Sequence, residues 1–264
     1  MDLQLTNKKV LVTGSTGGIG FAIARLFAKE GATVVVNGRT EKRVAEAVER
    51  IRQEKKDADV TGLAADLATQ AGVDLVAQKL PAVDVLVNNL GIFEPRPFAE
   101  ISDADWLRFF EVNVLSGVRM SRLYLPAMLK KNWGRIVFIS SESAVNIPVE
   151  MIHYGLTKTA QLALSRGLAE MTAGTGVTVN SVLPGPTRSE GVEQFVKDMA
   201  RSKGSDEQKV EAEFFRTVRP SSLLKRFATP EEVAAMVVYV CSPVASATNG
   251  AALRVDGGVV RSIV

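Results

Sequence analysis

The chain has one cysteine and one histidine in 264 residues. A lone cysteine, Cys241, excludes an internal disulfide and suits a reducing compartment, so a cytoplasmic location is expected. With a single histidine, His153, and no ligand-spaced cluster around it, no metal site is expected. Charge of one sign is also lacking. The 32 basic and 29 acidic side chains leave a net +3, with no long basic run, which gives no support to nucleic-acid binding. The opening MDLQLTNKKV has no apolar core of a signal peptide. One uncharged stretch, 233–253, is long enough to cross a bilayer, but Pro243, Asn249 and Gly250 break it. It reads as helix, loop and strand, so no membrane partner is expected. No linker, internal repeat or low-complexity tract divides the chain, which predicts one domain over 1–264.

What is present is a regular alternation. Short β-branched runs occupy 9–14, 33–38, 59–65, 83–89, 135–140, 177–183 and 252–256. Helical patterns fill 18–30, 41–54, 69–79, 103–131, 151–173 and 230–241. Nearly continuous apolar strands separated by helices predict a parallel sheet covered on both faces. Right-handed crossovers make it a doubly wound, Rossmann-like α/β sheet of about seven strands. Residues 190–226 break the rhythm, with charges of both signs and no strand pattern. They follow the Pro184-Gly185-Pro186 run at the end of a strand, the edge where open α/β sheets bind ligands. A segment of that length is expected to be a helical substrate lid.

The first strand runs into TGSTGGIG, 13–20. Glycines there let backbone approach a phosphate, and the helix that follows aims N–H groups and its positive end at an anion. Gly14, Ser15, Thr16, Gly18, Ile19 and Gly20 are therefore candidate cofactor residues. The second strand ends VVVNGRT, where an acid would bind ribose hydroxyls and an arginine would accept a 2′-phosphate. Arg39 can grip a phosphate bidentately. NADP(H) is the predicted preference, with NAD(H) still open.

In HYGLTKTA, 153–160, Tyr154 and Lys158 are four residues apart and share a helix face. Their unperturbed pKa values, about 10 and about 10.4, are poorly placed for work at neutral pH. A nearby ammonium favours phenolate, so Lys158 is expected to lower the pKa of Tyr154 and make it a general acid/base. A serine at 140 or 141, just upstream, offers a hydroxyl to a carbonyl oxygen. His153 points about 100° away on the same helix and is expected at a polar rim or interface.

Together these stretches resemble the small single-domain branch of the short-chain dehydrogenase/reductase family. The spacing GxxxGxG matches its TGxxxGxG, and Tyr154 and Lys158 match its YxxxK. Its catalytic serine, thirteen residues before the tyrosine, falls on Ser141, and its helix asparagine on Asn113. The resemblance implies that Tyr154 is the acid/base, Ser141 orients substrate, Lys158 binds the nicotinamide ribose, and Asn113 holds a water in a proton relay. Asp66 and Leu67 match its adenine contact. Asn89 and Gly91 belong to its NNAG motif, with Leu90 in place of alanine. Pro184, Gly185, Thr187 and Ser189 fall where it contacts the nicotinamide amide, with Ser189 in place of a threonine. Gly38 stands where its NAD-preferring members carry aspartate, and Thr16-Gly17 lacks the basic residue of many NADP-dependent ones. The resemblance runs from residue 8 to about 258, with a short segment between Asp66 and Asn88. It implies hydride transfer between NADP(H) and a carbonyl or secondary alcohol, with 3-oxoacyl thioesters a candidate substrate. It also implies a homo-oligomer, tetramer or dimer. A non-catalytic NADP-binding regulator or scaffold is the alternative. Arg96 and Arg188 would favour an anionic substrate if free, or else form a solvated rim.

Overall fold

Alternate residues of each central strand serve opposite layers. Val10 and Val12, Val34 and Val36, Val85 and Val87, and Val137 and Ile139 pack into one apolar cluster. Leu11, Val35, Leu86, Ile136 and Phe138 pack into another. Two buried faces demand two helical layers, which is why the strands read as unbroken apolar runs. The computed structural model describes residues 1–263, apart from the side chains of Phe195 and Lys203.

The strands are β1 (Lys9–Val12), β2 (Thr33–Gly38), β3 (Val60–Ala64), β4 (Val85–Asn88), β5 (Gly134–Ile139), β6 (Val177–Pro184) and β7 (Ala252–Val255). The helices are α1 (Gly18–Lys29), α2 (Glu41–Glu54), α3 (Gln70–Lys79), α4 (Asp103–Phe110), α5 (Ser116–Lys131), α6 (Ile152–Glu170), α7 (Glu190–Lys203), α8 (Glu207–Thr217) and α9 (Pro230–Val240). One sheet carries all seven strands in the order β3-β2-β1-β4-β5-β6-β7, each pair parallel. Residues of α1, α2 and α9 cover one face, and residues of α3, α5 and α6 the other. Each fully buried Val, Leu, Ile or Phe contributes roughly 1.5–3 kcal/mol. The order of assembly reverses between β1 and β4, and a crevice opens there at the strands' carboxyl ends. This is the doubly wound single-domain sheet expected from the sequence.

Three departures bear on function. The pattern over 103–131 is two helices joined by a π-helical turn, Glu111–Leu115, with Asn113 at its centre. Residues 190–217 form α7 and α8, whose inner faces share an apolar cluster of Val196, Ala200, Val210, Phe215 and Phe227. The rings of Phe214, Phe215 and Phe227 lie 5.1 Å apart pairwise, so the charged excursion has its own small core. His153 is not at a rim. It is 1% exposed, its ring 4.0 Å from that of Phe109 and 5.9 Å from that of Trp106. The reason is the position of α4, which lies against the start of α6 and covers the imidazole.

Two substitutions test this packing. A Cβ on Gly72, in the first turn of α3, would lie 2.0 Å from the Asp66 carbonyl oxygen. Gly→Ala in a helix ordinarily stabilises by about 1 kcal/mol. Gly72→Ala should instead destabilise by ~1–3 kcal/mol through the clash, read as a lower urea midpoint; a higher midpoint contradicts this packing. Burial holds the His153 pKa below its ordinary value, the largest of the effects on it. The unfolded chain, titrating at about 6.5, then binds more protons than the native state as pH falls through that value. Stability at neutral pH should therefore decline on acidification. His153→Leu should lose this component, so its melting temperature should fall less than that of the wild type between about pH 7.5 and about pH 5.5. Parallel declines would contradict a neutral buried imidazole.

Candidate active site

At the end of β1 the chain turns through Gly14 and Gly18, whose φ angles of 60° and 55° lie in the left-handed region. The turn is fastened to its neighbours. Asn89 Nδ2 donates to the carbonyls of Thr13 (2.9 Å) and Gly14 (3.0 Å). Thr13 Oγ1 accepts the N–H groups of Asn89 (2.9 Å) and Leu90 (3.0 Å). Ser15 Oγ donates to Val12 O (2.7 Å) and accepts from Asn37 N (3.0 Å). A Cβ on Gly20 would lie 2.4 Å from Asn89 Nδ2. Ser15, Gly20 and Asn89 therefore shape the turn, Ile19 packs against the core, and α1 begins at Gly18 with its N–H groups facing the crevice.

Beside the turn lies a cavity of about 430 Å³ lined by Gly14, Thr16, Arg39, Asp66, Leu67 and Leu90, together with Asn37, Gly38, Thr40, Arg43 and Ala65. Its size suits a small ligand or one half of a larger one. A Cβ on Gly38 would lie 2.4 Å from Thr16 Cγ2, so the strand end has no room for an acidic side chain in this arrangement. Arg39 is exposed at the rim. Arg43, one helical turn into α2, stands beside it, with Glu190 3.8 Å away. Asn37 amide donates to Leu63 O (3.0 Å) and Ala65 O (3.1 Å), binding β2 to β3 at the cavity floor. The loop after Pro184 runs beside the glycine turn, with Ser189 and Glu190 near Gly18 and Gly17. Gly185 approaches the Asp256 backbone, where a Cβ would meet its carbonyl at 2.6 Å. Thr187 Oγ1 donates to Gly185 O (2.9 Å). Ser189 precedes α7, and a Cβ on Gly18 would lie 3.5 Å from its Cβ.

The chemistry-bearing side chains meet at the ends of β4 and β5. Lys158 is 4% exposed, and Nζ donates to Ile139 O (2.9 Å) and Gln161 Oε1 (3.3 Å). It lies 5.6 Å from the centroid of the Tyr154 ring. A Cβ on Gly91 would lie 3.3 Å from Lys158 Nζ and 3.4 Å from Asn113 Oδ1, a tight contact with both groups. Asn113 is fully buried. Its side chain accepts from Ile92 N (2.7 Å) and donates to Ile92 O (3.0 Å) and Thr157 Oγ1 (3.0 Å). Ser141 Oγ accepts from Ser143 N (3.1 Å) and hydrogen-bonds Tyr154. Ser140 points elsewhere, donating to Lys158 O (2.9 Å), which separates the two serines.

The electrostatics differ from the sequence expectation. The protein crowded around the Tyr154 hydroxyl pushes its pKa up to about 12, with the Ser141 hydrogen bond opposing and Glu142 reinforcing. Burial lowers Lys158 to about 7. The protein's own groups thus hold Tyr154 as a proton donor and leave Lys158 able to gain or lose a proton near neutrality. Desolvation outweighs the attraction that helical spacing alone would predict. The arrangement can give a proton to an oxygen bound near Ser141.

Several participants carry no sequence signature. Glu142, 3% exposed, follows Ser141 and accepts from Arg219 Nε at 2.9 Å. Arg219 also lies 3.4 Å from Glu150. Burial raises the pKa of Glu142 and Arg219 opposes this. The pair ties the segment after α8 to the serine loop. Arg96 is held by Glu94 and Asp105, each at 2.6 Å, and Arg188 by Glu211 and, at 3.7 Å, Glu207. Neither guanidinium is a free anion receptor. Gln161 could have been flagged as a polar residue three positions after Lys158 on a helix face that packs on the sheet. Among the described residues no group of three or more His, Cys, Asp or Glu is placed to hold a metal ion, and no helix is long and apolar enough to cross a membrane.

Comparison with known proteins gives this geometry a context. The family model described as short chain dehydrogenase matches residues 8–200. An oxidoreductase of Bacillus subtilis named YvaG, uncharacterised, is 49% identical over 263 residues, covering 100% of both chains. A 3-oxoacyl-[acyl-carrier-protein] reductase of Aquifex aeolicus is 32% identical, covering 98% of this chain and 100% of its own. The L-sorbose reductase of Gluconobacter frateurii, solved with NADPH and L-sorbose, superposes with a TM-score of 0.92 at 32% identity over 100% of both chains. The glycine turn, the pairing of Tyr154 with the buried Lys158 and full-length similarity to these oxidoreductases converge: the chain belongs to the short-chain dehydrogenase family and is an NAD(P)-dependent dehydrogenase/reductase.

Proposed function

We propose that the protein reduces a carbonyl compound to a secondary alcohol with NADP(H), and catalyses the reverse reaction, using Tyr154 as acid/base. The observation that carries this reading is the half-buried Tyr154, hydrogen-bonded to Ser141 and paired with the buried Lys158 at the crevice end. NADP(H) supplies or accepts the hydride. Ser141 holds the substrate oxygen, and Tyr154 donates its proton to that oxygen as negative charge develops there. Leaving phenolate next to the Lys158 ammonium lowers the cost of that transfer, because opposite charges in a poorly solvated site attract strongly. Asn113 fixes the loop at Ile92, which backs the pair. The paired lid helices α7 and α8 bound the substrate side, and the Arg219–Glu142 ion pair links them to the serine loop.

For the cofactor, the turn at Gly14 and the start of α1 would hold the pyrophosphate, and Asp66 and Leu67 would flank the adenine. Arg39 and Arg43 would take a 2′-phosphate, with Thr16 occupying the space an acid at position 38 would need. The substrate is a small carbonyl compound. A 3-oxoacyl thioester is the within-family candidate, supported by the Aquifex relative. The neutralised Arg96 and Arg188 give no support to selection for a free anion. A homo-oligomer is supported by Leu107 and Phe110 of α4 and Leu156 of α6, large apolar side chains left exposed.

Two measurements test the reading. NADPH oxidation should be followed against ketones, quinones, ketoses and 3-oxoacyl thioesters. Turnover on at least one is expected, and Tyr154→Phe should reduce kcat by at least about a hundredfold, within the range of general acid–base contributions. Turnover undiminished in Tyr154→Phe contradicts the mechanism, and tight NADPH binding without turnover favours a regulator. For the cofactor, kcat/KM should favour NADPH over NADH. Arg39→Leu should lower kcat/KM for NADPH about tenfold to a hundredfold, the range for a hydrogen bond to a charged group, and leave NADH nearly unchanged. A wild-type preference for NADH would overturn the assignment.

A further inference from the structure

Lys158 and Asn113 are joined by a third side chain. Gln161 is 1% exposed and one helical turn beyond Lys158 on α6. Its Oε1 accepts from Lys158 Nζ at 3.3 Å, and its Nε2 donates to the main-chain carbonyl of Asn113 at 2.5 Å. That carbonyl belongs to the π-helical turn Glu111–Leu115, where the ordinary i→i+4 ladder is interrupted. The Asn113 side chain is fully engaged with Ile92 and Thr157, so only its backbone oxygen faces this path. A glutamine amide has one acceptor and two donors, and here it spends one of each on the two groups. Among the described residues no carboxylate acts on Lys158. Its environment is burial, the Ile139 carbonyl, Gln161 and the Tyr154 ring.

We propose that Gln161 is a positioning residue of the active site: its amide ties the Lys158 ammonium to the Asn113 carbonyl, doing by a side chain what a bridging water could do. This rests on the reading of Tyr154 and Lys158 as the acid/base unit. An amide is a poor proton carrier, so Gln161 orients the ammonium towards Tyr154 and compensates its burial. The bridge also explains a polar side chain with no solvent contact on the sheet-facing side of α6. Left without a partner, either the ammonium or the carbonyl would carry a desolvation cost.

The arrangement makes an unusual ordering testable. Gln161→Met fills the volume with no polar group, while Gln161→Ala leaves room for water to bridge the same two groups. A purely structural role predicts that Met, which keeps the packing, is the better replacement in every respect. The proposal predicts that Met keeps the higher melting temperature while Ala keeps the higher kcat. With NADPH and phenanthrenequinone as the probe carbonyl, kcat should fall about tenfold or more in Gln161→Met, with KM for NADPH changed less than about threefold, and recover at least partly in Gln161→Ala. A second measurement needs no turnover. NMR titration of lysine side-chain nitrogens, with Lys158 assigned by its loss in Lys158→Arg, should show the Lys158 pKa lowered in Gln161→Met and closer to wild type in Gln161→Ala. A kcat order that follows melting temperature, or an unchanged Lys158 titration in Gln161→Met, overturns the proposal. Tyr154→Phe distinguishes the two levels. If that variant is inactive while the Gln161 ordering fails, only the positioning role is lost.

Discussion

An ammonium group is expensive to bury, and the active end of this protein is organised around that cost. Lys158 is removed from water on α6 and given the Ile139 carbonyl at the end of β5 and the Gln161 amide. The first acceptor is available because β5 stops at Ile139, before the serine loop. The second is available because Gln161 follows Lys158 by one turn. Gly91 leaves room for the head group, since a Cβ there would lie 3.3 Å from Nζ and 3.4 Å from Asn113 Oδ1. Burial lowers the Lys158 pKa to about 7, so the lysine can be charged or neutral close to neutral pH.

The same constraint orders the rest of the crevice. The ends of β1, β4 and β5 must sit at fixed heights for the glycine turn, Gly91 and Ser141 to face one space. Asn89 sets the first of these by holding the Thr13 and Gly14 carbonyls from β4. Asn37 sets the β2–β3 side in the same manner. Asn37 is buried and Asn89 half-buried, and each finds backbone partners for its amide. The α7–α8 excursion brings Arg219 to Glu142, so the segment proposed to bound the substrate side is anchored next to the hydroxyl that would hold the substrate oxygen.

Much of this was legible in the sequence, for physical reasons. β-Branched runs such as VVVNG cannot avoid the sheet when both faces are covered, and all seven strands lie where those runs do, within three residues at each end. The glycine turn and the Tyr154–Lys158 spacing are local signals and survived intact. What was hidden depends on partners far along the chain. The π turn at Glu111–Leu115 has no glycine or proline to announce it. His153 looked like a surface residue because nothing in α6 shows that α4 lies over it. For Arg96 and Arg188 the sequence leaves an anion-binding role and a solvated rim both open, because it does not show the carboxylates that pair with them. For Tyr154, spacing points to a lowered pKa because it reveals the nearby charge but not the desolvation by surrounding protein, which is the larger effect and raises it.

The central claim is that Lys158 governs the proton on Tyr154. Its most direct test is the pH dependence of kcat for alcohol oxidation, comparing wild type with Lys158→Met. Oxidation requires Tyr154 to accept a proton, so the ammonium should favour the active, deprotonated form. The account predicts that the acid limb of the profile moves to higher pH when the ammonium is removed. An acid limb at the same pH in both proteins would contradict it.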